Sequence, residues 1–164
     1  MENQTATFVK MVISAWDTYN KRLNDLLGKL TNEQLMAETA PGRNSGIYLL
    51  GHLAAVSDDV FTFLDAGPRL FAELDYAFID NPDKAVLKTH TIPELKAALV
   101  KINATLDAHI AGMLPEEWFT KHSAVSAEAF AKEPYRNKLN IMINRTNHLS
   151  YHLGQLAYLA NPTL

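Results

Sequence analysis

Ile92, Leu95, Leu99, Ile102, Leu106, His109 and Met113 recur at strictly alternating steps of three and four residues. In an α-helix that spacing lays all of them along one seam, the edge by which helices pack in bundles. A strand would need a period of two, and almost nothing in this chain alternates that way. Thr91 is placed to cap the helix, and Pro93 falls in the first turn, where its missing N–H costs nothing. The chain is thereby directed to helices packed on helices.

Three more segments carry a helical period. The first runs from about Thr5 to Leu30, with Phe8, Val12, Ala15, Tyr19, Leu23, Leu26 and Leu30 on one face. Phe8, Trp16 and Tyr19 read as core aromatics. Thr31 and Gln34 have the spacing of a capping box, and Pro41-Gly42 then breaks the chain. The second helix opens at Asn44 or Ser45, runs to about Asp65 and stops at Gly67-Pro68, with Leu49, Leu53, Val56, Val60 and Phe63 inward. The last helix spans about Asn137 to Ala160 and ends before Pro162. A connection of roughly Ala66 to His90 is long enough to traverse a helix length of ~30 Å. Helices 2 and 3 can then run parallel. The expectation is one all-α domain, a four-helix bundle of up-down-down-up order with long connections. A short helix is expected within the Leu114 to Arg136 connection, around Ser126 to Lys132.

Composition enters as a set of exclusions. The net charge of −3 leaves no basic surplus for a nucleic-acid backbone. With 0 cysteines there is no disulfide, no Cys-based zinc site and no thiol nucleophile in the chain itself. The N-terminus lacks a basic region followed by an apolar run, and no apolar stretch reads as long enough to span a bilayer, so a cytoplasmic protein without membrane contact is expected. There is no Gly-rich phosphate loop and no Glu-x-x-His pair of the di-iron carboxylate kind.

The chemistry concentrates in Asn147-His148-Leu149-Ser150-Tyr151-His152-Leu153-Gly154-Gln155. His148 and His152 are one helical turn apart, so both imidazoles project the same way, and such a pair can grip one metal ion. They lie beside the apolar stripe of Leu149, Leu153, Leu156 and Ala160, on its inward side. Burying an imidazole without a partner costs about 1–3 kcal/mol, and an ion would satisfy both. His52, between Leu49, Leu53 and Val56, is the third candidate, flanked by the small residues Gly51 and Ala55 that let another element approach. Three neutral imidazoles suit Zn²⁺, Ni²⁺, Fe²⁺ or Mn²⁺ and leave positions open for water or substrate. Leu149 follows His148 where a zinc protease carries its catalytic Glu, so no base for peptide hydrolysis stands beside the pair.

Other arrangements of the same residues remain open at this stage. The three histidines can instead be core residues hydrogen-bonded in a metal-free bundle. His109, on the third helix's seam, reads first as a satisfied core histidine, with a fourth-ligand role as the alternative. His90 and His122 fall in connections and read as solvated. Asn144, Gln155, Tyr48 and Asp59 are spaced to orient a ligand ring or a water, or else to pack or lie at the surface.

The stretch Asn44-Ser45-Gly46-Ile47-Tyr48-Leu49-Leu50-Gly51-His52-Leu53 resembles the motif that opens the second helix in the DinB/YfiT-like superfamily. The closing Asn147 to Leu156 stretch is similar to that family's terminal motif, and the order of one early His and a late His-x-x-x-His pair agrees. The resemblance covers nearly the whole chain. It implies an up-down-down-up four-helix bundle, often a homodimer, and a metal held by His52, His148 and His152. It also implies a small-molecule substrate. Relatives include transferases and isomerases that use a low-molecular-weight thiol such as bacillithiol, mycothiol or glutathione, and others described as metal-dependent hydrolases. No substrate-contacting signature of the thiol transferases is evident.

Overall fold

The computed structural model describes residues 2–87 and 90–160; Pro162, read as the stop of the last helix, lies outside them. The described residues contain α-helices, short 3-10 turns and two isolated β-bridges, with no strand. The long helices are α1 (Glu2–Lys29), α3 (Gly46–Asp58), α6 (Ile92–Gly112) and α8 (Lys138–Ala157). Between them lie α2 (Asn32–Met36), α4 (Val60–Leu64), α5 (Leu74–Phe78) and α7 (Ala127–Lys132).

Capping decides where most of these begin. Thr31 and Thr91 each form a full capping box, with Gln34 and Glu94 returning the bond to the cap's own N–H. Ser45 accepts from Tyr48 N, Ser126 from Ala129 N and Asn137 from Asn140 N, which starts α3, α7 and α8. The segment expected as one second helix is two. After Asp58 the chain turns at Asp59 and resumes as α4, which Asp65 ends in the left-handed region (φ 57°).

The end of α3 is held by long-range bonds. Asp58 is fully buried, and its carboxylate accepts from Leu70 N at 2.9 Å, Phe71 N at 3.1 Å and Arg69 Nε at 3.0 Å. Arg69 then grips Asp75 with Nη1 at 2.5 Å and Nη2 at 2.7 Å. A buried carboxylate satisfied by backbone N–H groups and a guanidinium ties the 66–74 connection to the end of α3.

One core runs through the molecule. The α1 stripe is Val9, Trp16, Leu23, Leu27 and Leu30, rotated from the expected one: Phe8 is 48% exposed, whereas Trp16 is 1% exposed. On α6 the seam holds as expected from Ile92 to Leu106, all buried, with His109 and Met113 half-buried near its end. In the second segment Leu49, Leu53 and Val60 are buried, and Val56 and Phe63 are half-buried.

Helix α1 packs along α8, α3 along α6, and α3 also against α8. The beginning of α6 meets the end of α1, and the beginning of α3 and the residues that follow α8 meet α2, which comes directly after α1. A Cβ on Gly46 would stand 2.6 Å from Leu159 and 2.8 Å from the Leu35 carbonyl. Lys96 Nζ donates to Leu27 O at 2.7 Å, and Gln34 Nε2 to Leu159 O at 3.0 Å. Helices α3 and α8 run in opposite senses: His52 meets His148, and further along α3 Asp59 meets Arg145. Contrary to expectation, the stretch Gly46–Leu64 (19 residues, mean hydropathy 1.3) is long and apolar enough to cross a bilayer, but it is 72% buried and turns at Asp59.

Candidate metal centre

Two turns of α8 and the middle of α3 supply the site. The residues α3 presents on either side of His52, namely Leu49, Leu50, Leu53 and Ala55, are fully or almost fully buried, which fixes the helix and aims the imidazole at α8. On α8 Leu149 and Leu156 anchor the core side, placing His148 half-buried and His152 at 9% exposure beside them.

The three rings converge through one kind of atom. His52 Nε2 lies 3.2 Å from His148 Nε2, and His152 Nε2 lies 3.1 Å from the same atom. All three candidate ligand atoms fall within 4.8 Å of one another. The far nitrogens of two rings are already committed: His52 Nδ1 faces the Phe78 carbonyl at 2.8 Å, and His152 Nδ1 faces Gln155 Oε1 at 2.7 Å. An acceptor oxygen requires Nδ1 to carry the proton, so in the neutral rings both Nε2 atoms present lone pairs toward His148. Tyr48 lies nearly parallel to the His52 ring (interplanar 9°, centroids 6.2 Å) and donates its hydroxyl to Asn81 O at 3.0 Å. Tyr151 meets the His152 ring edge-on at 5.0 Å.

Electrostatics keeps the two α8 rings neutral. Burial first, then His152, His52 and Arg145, pushes the His148 pKa down to about 4. His152 is also lowered, chiefly by burial and in part by His52, while its bond to Gln155 opposes the shift. Neutral imidazole is the form that ligates a metal.

Two of the three nitrogen–nitrogen separations suit a shared ion. With metal–nitrogen bonds of about 2.0–2.1 Å, neighbouring ligands stand about 2.9 Å apart in an octahedral shell and about 3.3 Å apart in a tetrahedral one. The observed 3.2 and 3.1 Å lie between these. Among the described residues, the direct hydrogen-bond partners of the rings outside the cluster are a backbone carbonyl and a neutral amide, with no carboxylate.

His52, His148 and His152 are therefore together, as the sequence reading required, and Gln155 orients His152. Asn144 is exposed. Asp59 instead pairs with Arg145 at 3.4 Å, and burial raises its pKa. His109 does not join the cluster. Two expectations need correction. His122 is buried (8% exposed) edge-on to Phe63 at 5.7 Å, and His90 is half-buried against the Phe78 ring. The sequence reading missed the Phe78 carbonyl, since a backbone acceptor leaves no mark in residue type. The available signal was Gly51, the small residue read as letting another element approach His52.

The sequence profile described as the DinB superfamily matches residues 15–156, a span that includes all three histidines. Among solved structures, the chain is similar to one described as the conserved protein of a locus from Enterococcus faecalis. The TM-score is 0.64 at 16% identity, covering 92% of this chain and 94% of that one. At that identity the likeness is one of fold. Comparison with curated proteins gave no match.

Proposed function

The chain belongs to the DinB superfamily, and from that premise we propose that it is a single-domain protein in which His52, His148 and His152 hold a divalent metal through Nε2. The end contacts around α1 and α2 support reading α1, α3 with α4, α6 and α8 as a four-helix bundle of up-down-down-up order. The reaction we propose is transfer of a low-molecular-weight thiol to a small electrophilic substrate, in a cytoplasmic homodimer.

One observation carries the metal reading: two imidazoles with Nδ1 protons committed elsewhere direct their free lone pairs at a third. The ligand set is uncharged, so an ion bound there keeps its full positive charge for an anionic partner. When bound, such an ion supplies Lewis acidity, lowering the pKa of a coordinated thiol or water. The chain's residues supply the rest. His52 and His152 are held in one tautomer, and burial of His148 keeps protons from competing for its nitrogen. With 0 cysteines, the reacting sulfur must come from a cofactor. In the transfer the thiol's proton leaves to solvent, the sulfur's electron pair forms the new S–C bond, and the substrate's leaving group departs with its own pair.

Hydrolysis is the second reading. It is less well supported because, among the described residues, no carboxylate is hydrogen-bonded to the triad to take a proton from water. The test is protein prepared without a polyhistidine tag or nickel resin, assayed for metal by elemental analysis and for consumption of glutathione with a chromogenic aryl halide. Stoichiometric metal and thiol transfer, both lost in the His52/His148/His152→Ala protein, are expected. Metal retained after that change would falsify the site, and metal without transfer would leave hydrolysis or a ligand-binding role.

A further inference from the structure

Gly51 precedes a candidate ligand and sits in the most tightly packed part of α3. A Cβ built there would stand 2.4 Å from two atoms of the Phe78 ring and 2.6 Å from a third, distances no pair of carbons tolerates. Phe78 is completely buried, so its ring cannot swing out into solvent without leaving the core. The absence of a side chain at residue 51 is what lets α5 lie directly on α3. That close approach also brings the Phe78 carbonyl to 2.8 Å from His52 Nδ1.

The position of α5 is fixed from its other end as well. Asp75, in its first turn, is held by both Nη atoms of Arg69, whose Nε is held in turn by Asp58 on α3. Asp58 follows His52 on the same helix by fewer than two turns. The α5 helix is therefore tied to α3 at two points, by ring-to-backbone contact at Gly51 and by the carboxylate–guanidinium link at Asp58. The carbonyl that His52 uses belongs to Phe78, the residue that makes the first tie.

We propose that Gly51 and Arg69 are positioning residues for His52: by seating α5 against α3 they place the Phe78 carbonyl so that Nδ1 carries the proton and Nε2 is left free toward His148 and His152. This rests on the reading of His52 as a metal ligand. Its physical basis is that the group bonded to a ligand imidazole's far nitrogen sets ring orientation and tautomer, and losing such a partner typically lowers metal affinity about 10- to 100-fold. His152 does not share the device, since Gln155 on its own helix holds it. It therefore serves as an internal control.

The experiment reads the histidine tautomers of the metal-free, ¹⁵N-labelled protein by long-range ¹⁵N–¹H correlation at neutral pH, then zinc affinity by competition with a chromogenic chelator. In the wild type, His52 and His152 are both expected to carry the proton on Nδ1. Gly51→Ala should convert His52 to a tautomer mixture and weaken zinc binding about tenfold or more, with His152 unchanged. Gly51→Ala combined with Phe78→Ala removes the colliding ring but keeps the carbonyl, and should restore much of both signals. Arg69→Lys keeps the charge but cannot bridge two carboxylates through a planar fork. It should shift His52 in the same direction by a smaller amount, and it tests the proposal should Gly51→Ala not fold. A folded Gly51→Ala or Arg69→Lys protein with His52 still wholly Nδ1-protonated and zinc affinity within twofold of wild type overturns the proposal. So does equal disturbance of His52 and His152, the mark of a general loosening. Because the tautomers are read without metal, a wild type that ignores zinc would sink the metal reading separately.

Discussion

Replacing His148 by Ala should act in opposite directions on the metal-free and metal-loaded protein. In the metal-free state His148 lies between two lone-pair nitrogens at 3.2 and 3.1 Å, and its pKa falls from 6.5 to about 4. A depressed folded-state value means that the unfolded chain takes up a proton first. The stability His148 contributes is then whole above about pH 6.5 and drains away as pH falls toward 4. Linkage over the interval from pH 7 to 5 gives a loss of about 2 kcal/mol at face value, and about 1 kcal/mol once water reaching a half-buried ring is allowed for. For a chain this long that is a fall of about 2–4 °C in Tm. His148→Ala should abolish this part of the acid sensitivity, while the smaller contribution of His152, of the same sign, remains. The metal-loaded protein behaves in the reverse sense. Metal at 100 times its Kd stabilises the folded state by about 2.7 kcal/mol, or about 5–10 °C. The Ala variant should show almost none of that, because the nitrogen that both other rings face is gone. Differential scanning calorimetry at pH 5 and 7, with and without zinc, measures all four quantities. An unchanged pH slope in the metal-free variant, or a zinc shift equal to wild type, would refute the reasoning.

Further outcomes follow from the same contacts. Gln155→Ala removes the acceptor of His152 Nδ1, and zinc affinity measured by chelator competition should fall about tenfold, with metal-free Tm changed by less than about 4 °C. Asp58→Asn weakens the buried carboxylate that receives Leu70 N, Phe71 N and Arg69 Nε. Urea unfolding should show a loss of about 3 kcal/mol, with an unchanged midpoint as the contrary result. Thr91→Ala opens the capping box of α6 and should cost about 1 kcal/mol in the same assay, without effect on zinc binding.

The parts of this molecule legible in the sequence are those governed by neighbours along the chain. Thr31 with Gln34, and Thr91 ahead of Pro93, announce helix starts because the bonds they make are local. The seam from Ile92 to Leu106 is read from its period alone. His148 and His152 share a face because one helical turn separates them, and His52 joined them because the residues around it read as an inward face. What escaped was set by distant residues. On α1 two apolar stripes lie about one residue step apart, one through Phe8 and Tyr19 and the other through Val9 and Trp16, and the helices packed against α1 select the second. The bonds by which Asp58 holds a connection up to thirteen residues away leave no local mark. His122 looked solvated in a connection, but tertiary packing sets it against Phe63. The carbonyl that orients His52 belongs to the backbone, which no pattern of side chains can mark.

The central claim is that three Nε2 atoms share one ion. The most direct test is a crystal structure of tag-free protein reconstituted with zinc, with anomalous scattering collected on both sides of the zinc edge. One anomalous peak is expected about 2.0–2.2 Å from Nε2 of His52, His148 and His152, with the remaining coordination positions free of protein side chains. A peak that any one of these three rings fails to reach, or a shell closed by a fourth protein ligand, would contradict it.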